Sequence, residues 1–150
     1  MNKQKLISAF IILPSFLFAS DFPFFRKQQN RFKHGERHGL WIIYNDAGKT
    51  MVQSRGRYKK GNEKGVWRYY NENRKIRKKE VYRFKKIKTI NYFPDGKVNN
   101  EGKARLVKEG ENLHFYYYGD WKYYSEDGKL SKIVTYEKGK QIGEKNIIKE

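Results

Sequence analysis

The stretch Gly65-Val66-Trp67-Arg68-Tyr69-Tyr70 decides how this chain folds, because two other stretches share its Gly-x-Trp-x-x-Tyr frame. The copies are Gly39-Leu40-Trp41-Ile42-Ile43-Tyr44 and Gly119-Asp120-Trp121-Lys122-Tyr123-Tyr124. All three tryptophans of the chain lie in this frame. Recurrence of one pattern along a chain indicates a repeat protein, and we expect its function to depend on the whole series of repeats. The first, third and sixth residues of each copy are predicted structural positions: Gly39, Trp41, Tyr44, Gly65, Trp67, Tyr70, Gly119, Trp121 and Tyr124.

A second phrase, aromatic-x-x-Gly-x-x-x-Gly, leads into two of these copies and recurs near the end of the chain. It occurs at residues 32–39, 58–65 and 136–143. Glycine adopts positive φ at low steric cost, so its glycines can reverse the chain between units. The two phrases together predict β-hairpins in series.

Each hairpin is predicted to have one aromatic strand, a turn and a more polar strand. Alternate strand residues share a face, so Trp67 and Tyr69 face one way, and we expect that face to be buried. Turns are predicted at 45–48, 71–74, 93–96 and 125–128, with the left-handed residue at Gly48, Asn73, Gly96 and Gly128. The third unit lacks Trp, and an insertion at 103–115 follows it. We expect an all-β, elongated antiparallel sheet of four hairpins and about eight strands.

Charge and composition favour an ordered but thin structure. The chain has 150 residues, 34 Lys+Arg against 16 Asp+Glu and a net charge of +18, while aromatic residues make up 17%. Tyrosine is amphipathic and can cover a sheet without a thick aliphatic core. The chain has no cysteine, which excludes disulfides, thiolate metal sites and a cysteine nucleophile.

The amino terminus is typical of an exported protein. Residues 1–19 have a lysine-bearing start, an apolar run and a small residue at the end, which predicts a helical signal peptide; an uncleaved anchor is the alternative. Residues 20–31 are predicted to be an extended lead-in whose phenylalanines cover the first edge of the array, or else dock a partner. The array itself is predicted at 32–143, with a tail at 144–150. We expect the protein in the periplasm, in the cell envelope or outside the cell.

The two phrases, in this order and register, resemble the bacterial variants of the MORN repeat that occur in the YwqK-type antitoxin-like family. The resemblance covers residues 32–143 and departs from the pattern at the Trp-less third unit, at Arg74 in place of a turn glycine, and at the 103–115 insertion. It implies an elongated antiparallel sheet of hairpins without catalytic residues. It also implies scaffolding, association with acidic lipids or, from the family label, neutralisation of a toxin.

The sequence offers no catalytic or cofactor motif. His34 and His38 flank glycines in a predicted turn, and no carboxylate pair completes a metal-ligand set. There is also no glycine-rich phosphate loop followed by Lys-Ser/Thr. We therefore expect a protein that is not an enzyme and that needs neither cofactor nor metal.

One segment, 74–88, is strongly basic, with a single acid, Glu80, among its residues. It predicts a basic stripe that binds an anionic partner. The alternative is a solvated face whose lysines prevent edge-to-edge aggregation. The nine candidate binding residues are Arg74, Lys75, Arg77, Lys78, Lys79, Arg83, Lys85, Lys86 and Lys88.

These observations predict an exported, non-catalytic repeat protein that binds another macromolecule or serves as a scaffold. The first alternative is an antitoxin or immunity protein, and the second is a charge-driven binder of lipid or lipopolysaccharide. A protein partner is expected and an anionic membrane surface is a second option. Nucleic acid is disfavoured, because export removes the protein from it and the hairpin period already accounts for the aromatic residues.

Overall fold

A computed structural model describes residues 28–84 and 86–147, which form a single ten-stranded antiparallel sheet without any helix in these ranges. Each strand pairs with its neighbours in sequence, so the order in the sheet is the order in the chain. The strands are β1 (Arg31–Lys33), β2 (Glu36–Tyr44), β3 (Val52–Lys59), β4 (Asn62–Tyr70), β5 (Ile76–Arg83), β6 (Lys86–Tyr92), β7 (Val98–Glu109), β8 (Asn112–Tyr124), β9 (Leu130–Glu137) and β10 (Lys140–Asn146).

Several expectations concern residues that the structure does not describe. The signal peptide at 1–19, the lead-in up to residue 27, Lys85 of the basic stripe and the last three tail residues all lie outside the described residues. The part of the lead-in that is described reaches the edge of β2. There the Asn30 side chain makes two 2.8 Å hydrogen bonds with the backbone N–H and carbonyl of Ile42. It therefore satisfies backbone groups that an added strand would otherwise pair.

The sheet has ten strands rather than about eight, because short polar segments join at both ends. The segment β1 pairs with β2, and β10 pairs with β9 through Asn146, so residues 144–146 belong to the sheet rather than to a tail. The 103–115 insertion is not a separate segment either. It lengthens β7 and β8 into a long hairpin. Arg105 is the last residue of β7 that pairs with β6, and Leu106 to Glu109 pair with β8 alone.

The alternation of side chains gives the sheet two different faces. The aromatic face, defined by the three tryptophans and the residues that share their side, contains the buried hydrophobic side chains Trp41, Tyr58, Trp67, Ile87, Ala104, Trp121 and Val134. This confirms the expectation that the Trp side is buried. The opposite side, defined here as the basic face, has Arg55, Arg57, Lys64, Arg68 and their neighbours in register.

Burial on the aromatic face depends on pairs of tryptophan and glycine from adjacent strands. The Trp67 ring lies on Gly56 and the Trp121 ring lies on Gly102, so closely that a Cβ atom on either glycine would overlap the ring. Each indole N–H also donates to a carbonyl of the preceding strand: Trp67 to Arg57 at 3.2 Å, Trp121 to Lys103 at 3.0 Å and Trp41 to Arg31 at 3.2 Å. The same hydrogen bond therefore fixes all three tryptophans, and the fit to a glycine also fixes Trp67 and Trp121.

The tyrosines that end the aromatic strands also occupy equivalent places. Tyr44, Tyr70 and Tyr124 are the last residues of β2, β4 and β8, and each follows a shift in register. Their partners across the strand pair are Val52, Ile76 and Leu130. Each tyrosine thus pairs with an aliphatic residue where the hairpin enters its turn.

The Trp-less third unit replaces both members of the tryptophan–glycine pair. Thr89 of β6 occupies the tryptophan position, and its partner on β5 is Glu80, where the Trp67 and Trp121 units have Gly56 and Gly102. Glu80 is 2% exposed and accepts hydrogen bonds from the Tyr69 hydroxyl at 2.7 Å, the Tyr82 hydroxyl at 2.9 Å and the Lys78 ammonium at 2.9 Å. A buried carboxylate is tolerated here because it is fully hydrogen-bonded.

Two of the four turns place the left-handed residue elsewhere than predicted. Gly96 and Gly128 have positive φ as expected, but Arg74 (59°) replaces Asn73, and Lys49 (57°) replaces Gly48. In three turns the fourth residue donates its N–H to the first residue's carbonyl: Arg74 to Asn71, Gly96 to Phe93 and Gly128 to Ser125. The left-handed conformation belongs to that fourth position. In the first turn Lys49 donates to Asp46 instead, one residue later.

Candidate functional site: the basic face

Double insertions before Trp67 and Trp121 set which side chains reach the basic face. Arg55 pairs with Arg68 and Arg57 pairs with Lys64, so one residue of β3 faces three of β4. The inserted Gly65 has φ of 67°, and Gly39 and Gly119 have similar values. An insertion of two residues keeps the alternation of faces, whereas one would invert it. Lys64 and Arg68 therefore both point to the side opposite Trp67.

The basic face brings like charges directly opposite one another on neighbouring strands. Arg55, Arg68 and Lys79 form one row across β3, β4 and β5, and Arg57 pairs with Lys64 beside it. Further along, Lys88 is opposite Lys103. Like charges in directly opposed positions are destabilising. A second row, across β5, β6 and β7, contains Arg83, Lys86 and Arg105.

Little of this repulsion is offset by neighbouring acids. The Lys88 ammonium is 2.8 Å from the Glu101 carboxylate, and its hydrogen bond lowers the pKa of Glu101. Among residues 28–84 and 86–147, no side-chain hydrogen bond or ion pair is made by Arg55, Arg57, Lys64, Arg68 or Lys79. Their charges face solvent as a group, which is the arrangement of a surface that receives an anion.

The nine residues predicted as a basic stripe do not lie together. Lys79, Arg83, Lys86 and Lys88 are on the basic face, and Arg77 is on the same side by alternation along β5. Lys78 lies on the aromatic face. The remaining two described residues, Arg74 and Lys75, are at the β4–β5 turn, where the Lys75 ammonium donates to the Pro94 carbonyl at 3.2 Å.

Lys78 is bound into the buried network rather than presented to a partner. Its ammonium is 2.9 Å from a Glu80 oxygen and 4.1 Å from the centre of the Tyr69 ring. The position of Glu80 within the 74–88 run suggests that it neutralises part of the basic face. It does not, because its side chain points to the aromatic face. The basic face is therefore more positive than the sequence of the segment indicates.

Several basic-face residues were missed by the sequence reasoning, because they are distributed over β3, β4 and β7. One signal was available: Arg55-Gly56-Arg57-Tyr58-Lys59 alternates basic residues with residues that belong to the Trp side. That pattern predicts a strand with one basic face. The missed residues are Arg55, Arg57, Lys59, Lys64, Arg68, Lys103 and Arg105.

The buried network on the aromatic face consists of Glu80 and its three hydrogen-bond donors, Tyr69, Lys78 and Tyr82. Burial, followed by the hydrogen bond to Glu80, raises the pKa of Tyr69, and burial followed by the charge of Glu80 raises the pKa of Tyr82. The carboxylate is closed to solvent and engaged by three donors. Within the described ranges there is no group of His, Asp and Glu that could hold a metal ion, and no helix suited to crossing a membrane.

Comparisons with protein-family models, with curated proteins and with solved structures found no match to this chain.

Proposed function

We propose that the chain is an exported, non-catalytic repeat protein of the MORN-like kind that binds an anionic macromolecule through its basic face. The observation that carries this proposal is the set of opposed like charges, from Arg55–Arg68–Lys79 to Lys88–Lys103. Such pairs cost the fold free energy, and a solvated surface could be built with mixed charges. An anionic partner would neutralise these charges, so the repulsion between them would be relieved on binding.

The repeat character is supported by the equivalence of the three tryptophans. Each follows a glycine of positive φ, and each donates its indole N–H to a carbonyl on the preceding strand. Such equivalence is what a repeated unit that stacks on its neighbour requires. Export is supported by the signal-like composition of residues 1–19.

The test is a capture experiment from cell-envelope extract with the whole chain as recovered after export. The variant Arg68→Glu/Lys79→Glu/Lys86→Glu changes three basic-face positions. The control Lys49→Glu/Lys108→Glu/Lys138→Glu makes the same change in net charge at exposed positions away from the basic face, two of them in turns and one on the aromatic side of β7. We expect the wild type and the control to retain the same partner, and the basic-face variant to lose it.

Equal retention by all three proteins would contradict the proposal. Capture of a single protein that survives high salt and is lost by the basic-face variant would identify a specific partner. If that partner were a toxin, the antitoxin alternative would become the function. Capture of anionic lipid or lipopolysaccharide alone, lost as the salt concentration rises, would identify association with the envelope surface instead.

A further inference from the structure

The basic face contains a groove of about 700 Å³ between β2, β3 and β4. Leu40 and Val66 contribute aliphatic side chains to it, and the β3 backbone crosses it at Gly56. Tyr58 also borders the groove, but its ring packs edge-to-face against Trp41 and Trp67 on the aromatic face. The groove therefore has a mainly aliphatic and backbone surface, and its one aromatic ring on this face is the imidazole of His38.

Five cationic side chains border the groove in two parallel lines. Arg55, Arg57 and Lys59 follow one another at alternate positions of β3, and Arg68 and Lys64 oppose the first two from β4. Side chains at alternate strand positions are about 6.8 Å apart, and opposed side chains are about 5 Å apart at Cβ. The groove is bordered by no acidic residue of the described chain. The cations thus form two parallel rows, the longer of which extends over about 13 Å.

This arrangement selects for a linear anion of high charge density. A guanidinium group binds a phosphate through two parallel hydrogen bonds, and arginine is preferred where phosphate is recognised. Single-stranded nucleic acid is bound largely by stacking successive bases on several aromatic side chains, whereas this groove presents a single imidazole, that of His38. A flat lipid surface would be met by the whole basic face and has no need of a groove. A ligand in the groove would instead lie over β3, between the side chains of β2 and β4, and run along that strand.

We infer that this groove binds a linear chain of phosphate groups. The inference rests on the proposed function, because it assigns a ligand class and a position to the anion-binding face. Two sources have this chemistry: an inorganic phosphoanhydride chain and a polymer of glycerol phosphate. Both offer closely spaced phosphates without bases, and both would pair with the two lines of cations.

The experiment measures binding of the whole chain to inorganic polyphosphate, to a glycerol phosphate polymer, to a single-stranded DNA of matched charge and to phosphatidylglycerol vesicles. The groove variant is Arg57→Gln/Lys64→Gln, which removes one opposed pair. The control Lys108→Gln/Lys140→Gln removes the same charge outside the groove. Removal of an opposed like-charged pair relieves repulsion, so the groove variant should unfold at the same or a higher temperature than the wild type.

We expect one of the two phosphate polymers to bind the wild type and the control equally. The groove variant should bind it about a hundredfold more weakly, since each lost charge-assisted contact accounts for roughly tenfold. Equal loss in the groove variant and the control would overturn the inference, as would tighter binding of single-stranded DNA. Binding of vesicles alone would also overturn it while leaving the proposed function in place. Failure of every anion to bind would overturn the inference, and the capture experiment would then decide the proposed function separately.

Discussion

The indole ring of Trp67 on β4 lies directly on the backbone of Gly56 on β3, and the contact leaves no room for a side chain at residue 56. Trp121 of β8 and Gly102 of β7 repeat this relationship further along the chain. The single-layer sheet buries these two tryptophans in this way, because the missing side chain of each glycine makes room for a ring.

Replacement of Gly56 by alanine should destabilise the sheet. The new Cβ atom would overlap the Trp67 ring, and overpacking of this kind costs about 1–3 kcal/mol. The matched control is Gly143→Ala on β10, where the nearest side-chain atom to the new Cβ is 3.8 Å away in Thr135. Urea unfolding of both variants would measure the difference. Equal midpoints for the two variants would show that the Trp67 ring can move aside at little cost.

Stability should fall as the pH rises past about 10, the ordinary pKa of tyrosine. The pKa values of Tyr69 and Tyr82 are raised by burial and by Glu80, so the folded protein keeps protons that the unfolded chain releases above that pH. The unfolding free energy then decreases by up to about 1.4 kcal/mol per pH unit for each such tyrosine. Below pH 10 both states keep these protons, and the contribution is constant.

Urea midpoints measured between pH 8 and pH 11 would test this dependence. The variant Tyr82→Phe should be less stable than the wild type at pH 8, because it removes a hydrogen bond to Glu80. It should nevertheless lose stability more gradually above pH 10. Identical slopes for the two proteins would show that Tyr82 does not contribute to the alkaline loss of stability.

Arg68→Glu should stabilise the protein at low salt. Arg68 lies between Arg55 and Lys79, so the change turns two repulsive pairs into two attractive ones, each worth roughly 0.2–1 kcal/mol. Added salt should raise the wild-type unfolding free energy and reduce the advantage of the variant, because exposed charges are screened. Chemical unfolding at two salt concentrations, with Lys108→Glu as the control, would measure both effects. A destabilised Arg68→Glu protein would contradict the assignment of these three residues to one row.

Arg74→Gly should also stabilise the protein. Arg74 has φ of 59° at the turn position that Gly96 and Gly128 occupy in the third and fourth turns. The left-handed conformation costs a non-glycine residue about 1–2 kcal/mol, and glycine avoids that strain. Thermal unfolding should show a higher midpoint for Arg74→Gly and no gain for Arg74→Ala, which retains the strain. A similar gain in both variants would attribute the effect to the lost charge instead.

The face of each aromatic strand could be predicted from the sequence, because it follows from the period of two and from three tryptophans in one frame. The all-β class and the four turn regions follow from the same spacing. The segments β1 and β10 could not be predicted in this way. They are short and polar, and they are strands because an existing edge offers them backbone partners.

The composition of the basic face could not be predicted because it depends on pairing between strands. A run such as 74–88 is conspicuous in the sequence, but its side chains are divided between two faces and a turn. Arg55 and Arg68 are 13 positions apart, and only the insertion at Gly65 brings them into opposition. In the sequence, Glu80 is the single acidic residue of a basic segment. In the structure it is a buried residue that takes the place of a glycine.

The strict agreement between strand order and chain order has a consequence for how the protein is made. Every strand pairs only with strands that are adjacent to it in the chain, so pairing never has to wait for a distant part of the sequence. The sheet can grow at one margin as the chain emerges, and no stretch has to remain exposed while a distant partner is completed.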